Sequence, residues 1–260
     1  MQFNKLFVFD DMTGFVELVD KMGHDTATKV VNAARISYAK ESKEWNENDK
    51  KLTQFLRVNE HTSPYRHTYY TFHIKAPLFT LRQWMKYQVG SCWRTYEDNV
   101  SAAQEMELGV FEHLFDTDKG CSWNEISGRY VQLKPEFYVP NKMRGNVKHG
   151  NKQASEELDD TFDHVKLKTD MYRECEEAYK NYEQRLEAGV AREIARMLLP
   201  QNIYTEVYWT VSLQAVLHFL EQRMSKDSQY EIRMYAGAIY NLIEDDMKKL
   251  GIPREALGYE

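Results

Sequence analysis

Ser122-Trp123-Asn124-Glu125-Ile126-Ser127-Gly128-Arg129-Tyr130 is the densest run of polar chemistry in the chain. It sets an amide, a carboxylate, two hydroxyls and a guanidinium in one short segment beside a glycine. An arginine fork fits phosphate oxygens, and hydroxyls with backbone amides serve the remaining acceptors, so the run suits a planar polar ring joined to a phosphate. It equally suits a solvated loop entering a strand, because loops are commonly polar. Downstream, Arg192 and Arg196 stand four apart on one helix face. Like charges at that spacing repel mildly and invite an anion, although two surface arginines resting their stems on apolar neighbours read the same way. Gln214, His218 and Arg223 interrupt an otherwise apolar helical stretch, with Gln214 and His218 on one face. A satisfied core histidine and an arginine at the negative end of a helix dipole are the alternatives there.

Periodicity around these groups predicts helices over 26–38, 48–58 and 78–88, the last beginning after Pro77. Residues 68–74 and 203–211, rich in β-branched and aromatic side chains, read as strands. Residues 128–139 read as extended, and 141–153, with two glycines, as a loop. A long charged helix is predicted over 155–186, a second over 190–199 stopped by Pro200, and two more over 212–224 and 230–250. Helices and strands mix without βαβ alternation. The expected class is therefore α+β, a mostly antiparallel sheet flanked by helices, in one domain over residues 1–260.

Composition narrows the partners. The net charge of -6 argues against a general grip on nucleic acid, while leaving room for a local basic pocket for one or two phosphates. Three cysteines, Cys92, Cys121 and Cys175, fit a reducing, cytoplasmic setting. No ligand spacing suggests a metal, no apolar run matches a membrane span, and the first ten residues do not read as a signal peptide. The expectation is a soluble protein with no metal, no membrane and no nucleic-acid partner.

Taken in order, these segments resemble the flavin-dependent thymidylate synthases. The family motif R-H-R-x-x-S-x-N-E-x-S-x-R-Y has its second half reproduced without a gap at Ser122 to Tyr130. The likeness continues through Ala33-Ala34-Arg35-Ile36-Ser37, Ser63-Pro64-Tyr65-Arg66-His67, Phe72-His73-Ile74-Lys75-Ala76-Pro77 and Arg82-Gln83-Trp84. It resumes at Phe137-Tyr138-Val139-Pro140, Ala195 to Pro200, Leu217 to Arg223 and Tyr230-Glu231-Ile232-Arg233. The resemblance implies methylation of dUMP to dTMP, with methylene-tetrahydrofolate as carbon donor, FAD as hydride source, NADPH as reductant, and a homotetramer sharing its sites. It assigns the dUMP pocket to Gln83, Lys86, Glu125, Ser127, Arg129, Arg196 and Arg223, with Arg223 as the catalytic group that activates the ring. It assigns FAD to Ser37, Ser63, Lys86, Tyr87, Gln88, Asn124, Glu125, Ser212, Gln214 and His218.

The departures gather on one ligand. Lys86-Tyr87-Gln88 replaces R-H-R, and about thirty extra residues, 92–121, interrupt the motif. Ser212 and Gln214 stand where the family has Asn and Arg, and Arg66 where Glu is usual. Lysine lacks the bidentate fork of arginine, so control over the ligand changes even at Lys86. The resemblance thus implies an FAD site altered more than the dUMP site. Its alternatives are a homologue making another C5-modified pyrimidine deoxynucleotide and a non-catalytic nucleotide-binding homologue.

Overall fold

A computed structural model describes residues 4–87, 122–147 and 154–257 of the chain. The sheet is built from β1 (Lys5–Phe7), β2 (Phe15–Lys21), β3 (Tyr69–Pro77), β4 (Ser122–Glu125) and a later strand that closes it. That strand, β7 (Tyr204–Ser212), lies between β3 and β4, giving the order β1-β2-β3-β7-β4 with every pairing antiparallel. The expected α+β class holds, and β3 and β7 fall where their β-branched runs placed them. Three strands of this sheet went unread, among them β4, which lies in the run read as polar motif or loop. β1 is only three residues long, and β2 carries a bulge between Leu18 and Asp20 that breaks the alternation.

Alternation sets the two faces of the sheet. One carries Val16, Phe72, Ile74, Val207 and Trp209, all at most 1% exposed, and takes the helices. The other carries Glu17, His73, Lys75, Glu206 and Tyr208, linked by the Lys75–Glu206 ion pair, by contacts of the His73 ring with Glu17 and Glu206, and by the stacked rings of His73 and Tyr208.

From the N-terminal part, α1 (Thr26–Arg35) and α2 (Glu47–Val58) pack against each other and add Val30 and Leu56 to the core over the apolar face. Asp25 caps α1 by accepting from the Thr28 amide, and Asn46 with Asp49 forms a capping box on α2. The buried Asp49 carboxylate also accepts from Arg35 at 2.5 Å and Ser42 at 2.6 Å, tying the two helices together. Pro77 ends β3 and caps α3 (Leu78–Trp84), which stops at Trp84 rather than running to 88. Gln88 and the extra segment 92–121, with its predicted helical stretch, lie outside the described residues.

The region after the motif corrects three readings. Residues 128–130 form a turn, and 131–139 hold only a single bridge, Phe137 to Ile203, instead of an extended strand. The predicted loop carries β5 (Arg144–Asn146), which pairs with β6 (Ser155–Glu157). The long helix α4 (His164–Glu187) therefore starts nine residues later than its charged periodicity suggested, at the N-cap Asp163. The polar residues before it were hairpin and turn.

Beyond lie α5 (Arg192–Ala195) with the 3-10 turn Arg196–Leu198, then α6 (Leu213–Arg223), α7 (Tyr230–Leu242) and α8 (Glu244–Leu250). The predicted 230–250 helix is thus two, broken at Ile243. Trp84 lies under α6, stacked on Phe219 at 4.7 Å and edge-on to Trp209 at 5.5 Å. No described helix is long and apolar enough to cross a membrane.

Candidate active site

The motif strand is held by its partner. Trp123 pairs with Trp209 across β4 and β7 and stacks on it at 5.4 Å. This fixes the strand, after which the chain turns at Ser127, whose carbonyl accepts from Tyr130 and whose hydroxyl accepts from the Arg129 amide. Glu125 leaves the strand facing Thr205, which donates to its Oε1 at 2.9 Å.

A cavity of about 430 Å³ opens beside this turn, lined by Glu125, Gly128 and Arg196, with Arg82, Gln201 and Thr205 around them. A Cβ on Gly128 would meet Arg196 Cδ at 3.2 Å and Nη1 at 3.3 Å, so the bare glycine lets the arginine lie flat across the turn. Arg192, its predicted companion, is exposed and does not line the cavity. Arg129 is exposed and pairs with Glu193 at 3.2 Å. Lys86 and Asn124 are also exposed, the latter opposite Tyr208.

A second group forms at the end of α6. The Arg223 guanidinium lies over the Tyr87 ring, 5.2 Å from its centroid. Its Nε is buried and has no hydrogen-bond partner among the described residues. Tyr87 also touches His218, with ring centroids 5.5 Å apart, and Phe219 edge-on. Burial pushes the Tyr87 hydroxyl up, while the adjacent Arg223 charge and hydrogen bond pull the other way. Tyr87 thus forms one side of a cation shelf, where the family motif would put a histidine.

Gln214 and His218 do share a face, as their spacing predicted. They line a groove of about 730 Å³ with Arg57, Thr62 and Tyr65. Arg66 donates from Nε to Gln214 Oε1 at 2.5 Å, which leaves the Gln214 amide N–H groups to the groove. Ser63 and Ser37 are exposed, each in a 3-10 turn. Ser212 is fully buried as the N-cap of α6, where it accepts from the Ala215 amide. No group of His, Cys, Asp or Glu suited to a metal occurs among the described residues.

Sequence reasoning missed several partners: Thr205 on Glu125, Glu193 on Arg129, and Gln229, which accepts from Gln83 Nε2. All three partnerships join residues far apart in the chain, and no local pattern announces them.

Residues 17–247 match the family described as thymidylate synthase complementing protein. A flavin-dependent thymidylate synthase of Thermus thermophilus is 40% identical over 232 residues, 89% of this chain and 72% of that protein. One of Thermosipho africanus is 38% identical, over 89% of this chain and 86% of its own. Among solved structures, the UMP/dUMP methylase PolB from Streptomyces cacaoi, bound with 5-Br dUMP, superposes with a TM-score of 0.69 at 29% identity, covering 93% of each chain. Its motif, its fold and these matches agree: the chain belongs to the thymidylate synthase complementing protein family, the family of the flavin-dependent thymidylate synthases.

Proposed function

We propose that this protein is a flavin-dependent thymidylate synthase, a methyltransferase that converts dUMP to dTMP with methylene-tetrahydrofolate as carbon donor and NADPH as reductant. The observation that carries this reading is the Arg223 guanidinium. It is braced by Tyr87 and keeps a buried Nε without a described partner. The side chain as a whole is only half-buried, so its guanidinium stays open to a bound acceptor. An arginine set against the uracil ring stabilises the anionic form of the base and raises electron density at carbon 5.

The phosphate-bearing end of dUMP is assigned to the cavity that Arg196 and Glu125 line, with Ser127 and Arg129 on either side of Gly128 in the turn beside it. Gln83 and Lys86 complete the nucleotide set. FAD is assigned to Ser37, Ser63, Lys86, Tyr87, Gln88, Asn124, Glu125, Ser212, Gln214 and His218. The groove beside Gln214 and His218 fits a flavin in size and in its mixture of aromatic edge and hydrogen-bond donors. When bound, FAD supplies the redox equivalents of the reaction. Ser212, as a buried helix cap, acts on that ligand through the α6 backbone it holds rather than by its hydroxyl.

A homotetramer follows from the same resemblance, and the exposed Phe7 and Tyr208 on the polar sheet face suit an assembly surface. The two alternatives, another C5 product or a non-catalytic homologue, are not favoured, because the curated relatives quoted share one activity in their names. Calorimetric titration with dUMP tests the reading. Binding that Arg196→Ala weakens at least tenfold is expected, and no binding by the wild-type protein would overturn it.

A further inference from the structure

Gln83 does not stand alone. Its Nε2 donates to Gln229 Oε1; Gln229 Nε2 donates to Glu231 Oε2 at 2.9 Å; and Tyr138 Oη donates to Glu231 Oε1 at 3.1 Å. Glu231 is buried, in the first turn of α7, where the helix dipole favours a negative charge. Gln229 is the N-cap residue of the same helix, yet its side chain makes no cap bond and is free for the relay.

We infer that Glu231 and Gln229 are positioning residues that fix the orientation of the Gln83 amide, so that Gln83 presents its carbonyl oxygen to a hydrogen-bond donor of the bound nucleotide. This rests on the nucleotide reading of the site. An ionised carboxylate only accepts hydrogen bonds. Gln229 must therefore turn its NH2 group to Glu231, which leaves its carbonyl facing Gln83. Gln83 must in turn offer its own NH2 group to that carbonyl, and its Oε1 points away as an acceptor. The polarity follows from the carboxylate at the root, whatever the orientation of either amide taken alone. Tyr138 holds the root from the other side. Burial, and then the Glu231 charge, push its hydroxyl up, so it stays a donor at every working pH.

The placement suits the role. Gln83 lies between Arg82, which lines the Arg196 cavity, and Tyr87, which braces Arg223. Gln229 sits in the connection that follows Arg223. The bond between the two glutamines thus ties α3 to the segment carrying the ring-activating arginine.

A double-mutant cycle read by dUMP affinity tests the inference. Glu231→Gln removes the acceptor-only root and lets the relay flip. It should weaken dUMP binding about tenfold, the worth of one misdirected hydrogen bond. In a Gln83→Ala background the same change should cost less than about twofold, because there is no amide left to orient. Gln229→Met, which cuts the relay without touching the buried carboxylate, should show the same coupling and serves if Glu231→Gln fails to fold. Tyr138→Phe should leave dUMP affinity within about twofold, since it preserves the polarity of the relay. Equal losses in the presence and absence of Gln83, or no loss in either single variant, would overturn the positioning role. Failure of the wild-type protein to bind dUMP would instead overturn the nucleotide reading, and the inference with it.

Discussion

The Arg223 guanidinium lies over Tyr87, 5.2 Å from the ring centroid, with its Nε buried and unpaired among the described residues. A cation held this way is oriented before any ligand arrives. One of its donors, Nε, is not used by the described residues. That combination is what electrostatic stabilisation of a charged intermediate requires.

Replacing Arg223 by lysine keeps the charge but loses the flat guanidinium and its donors. We expect Arg223→Lys to lower kcat by about 100-fold or more, the scale seen when one donor to a developing anion is removed. The thermal midpoint should stay nearly unchanged. Steady-state kinetics beside a melting curve separate the two effects, and a kcat within threefold of wild type would remove Arg223 from the chemistry.

Gly128 is the counterpart at the phosphate end. An alanine there would press on Arg196 Cδ and Nη1 at 3.2–3.3 Å. The arginine must give way, so Gly128→Ala should weaken dUMP binding by about tenfold, with little loss of stability. Calorimetry on the variant checks this, and unchanged affinity would place the phosphate elsewhere.

Trp84 supports the site from beneath. It is fully buried against Phe219 and Trp209, one residue from Gln83. Trp84→Ala should cost about 3–5 kcal/mol of stability through the cavity it leaves. Chemical denaturation measures this; a loss under 1 kcal/mol would show that the aromatic stack is not a principal support.

Asp25 gives a prediction with pH. Burial raises its carboxyl, but hydrogen bonds from Lys249 and Thr28 outweigh burial, and the net value falls below the usual 3.8. A depressed folded-state value stabilises the fold above the unfolded value and loses that contribution as pH falls through the folded one. Asp25→Asn should therefore destabilise at pH 7, by about 0.2–1 kcal/mol for the lost ion pair with Lys249, since asparagine caps a helix as well as aspartate does. The difference from wild type should shrink steadily below pH 3.8. Melting temperatures over that range check the sign, and a penalty that grows on acidification would contradict it.

The legible part of the molecule was the part with unbroken local patterns. β3, β7, α1, α2 and α6 each carry enough apolar or β-branched residues in register to declare themselves. The short β1, the bulged β2 and the β5–β6 hairpin do not, because three-residue strands hold too little alternation to read. At the site, the glycine, arginines and glutamate of the motif were visible as chemistry. The identities of their partners were not, since Thr205 reaches Glu125 only through the pairing of β4 with β7. Ser212 carries a role that the family pattern did not announce. Its place in a family pattern suggested a ligand contact, and its position immediately before α6 makes it a helix cap.

The departures at Tyr87, Gln214 and Ser212 bear on affinity for the cofactor. Each charged phosphate contact that is lost costs about 1.5–3 kcal/mol if nothing replaces it. We expect FAD to bind the apoprotein more weakly than relatives with an intact R-H-R. Titration followed by flavin fluorescence, with and without dUMP, measures this; nanomolar binding would show that other residues supply the missing charge.

The most direct test of the whole account is turnover. The protein is incubated with dUMP, FAD, NADPH and methylene-tetrahydrofolate, and the nucleotide product is identified by mass spectrometry. The account predicts dTMP, formed only when flavin and NADPH are both present and abolished by Arg223→Ala. A hydroxymethylated nucleotide, or bound dUMP returned unchanged under saturating FAD, would contradict it.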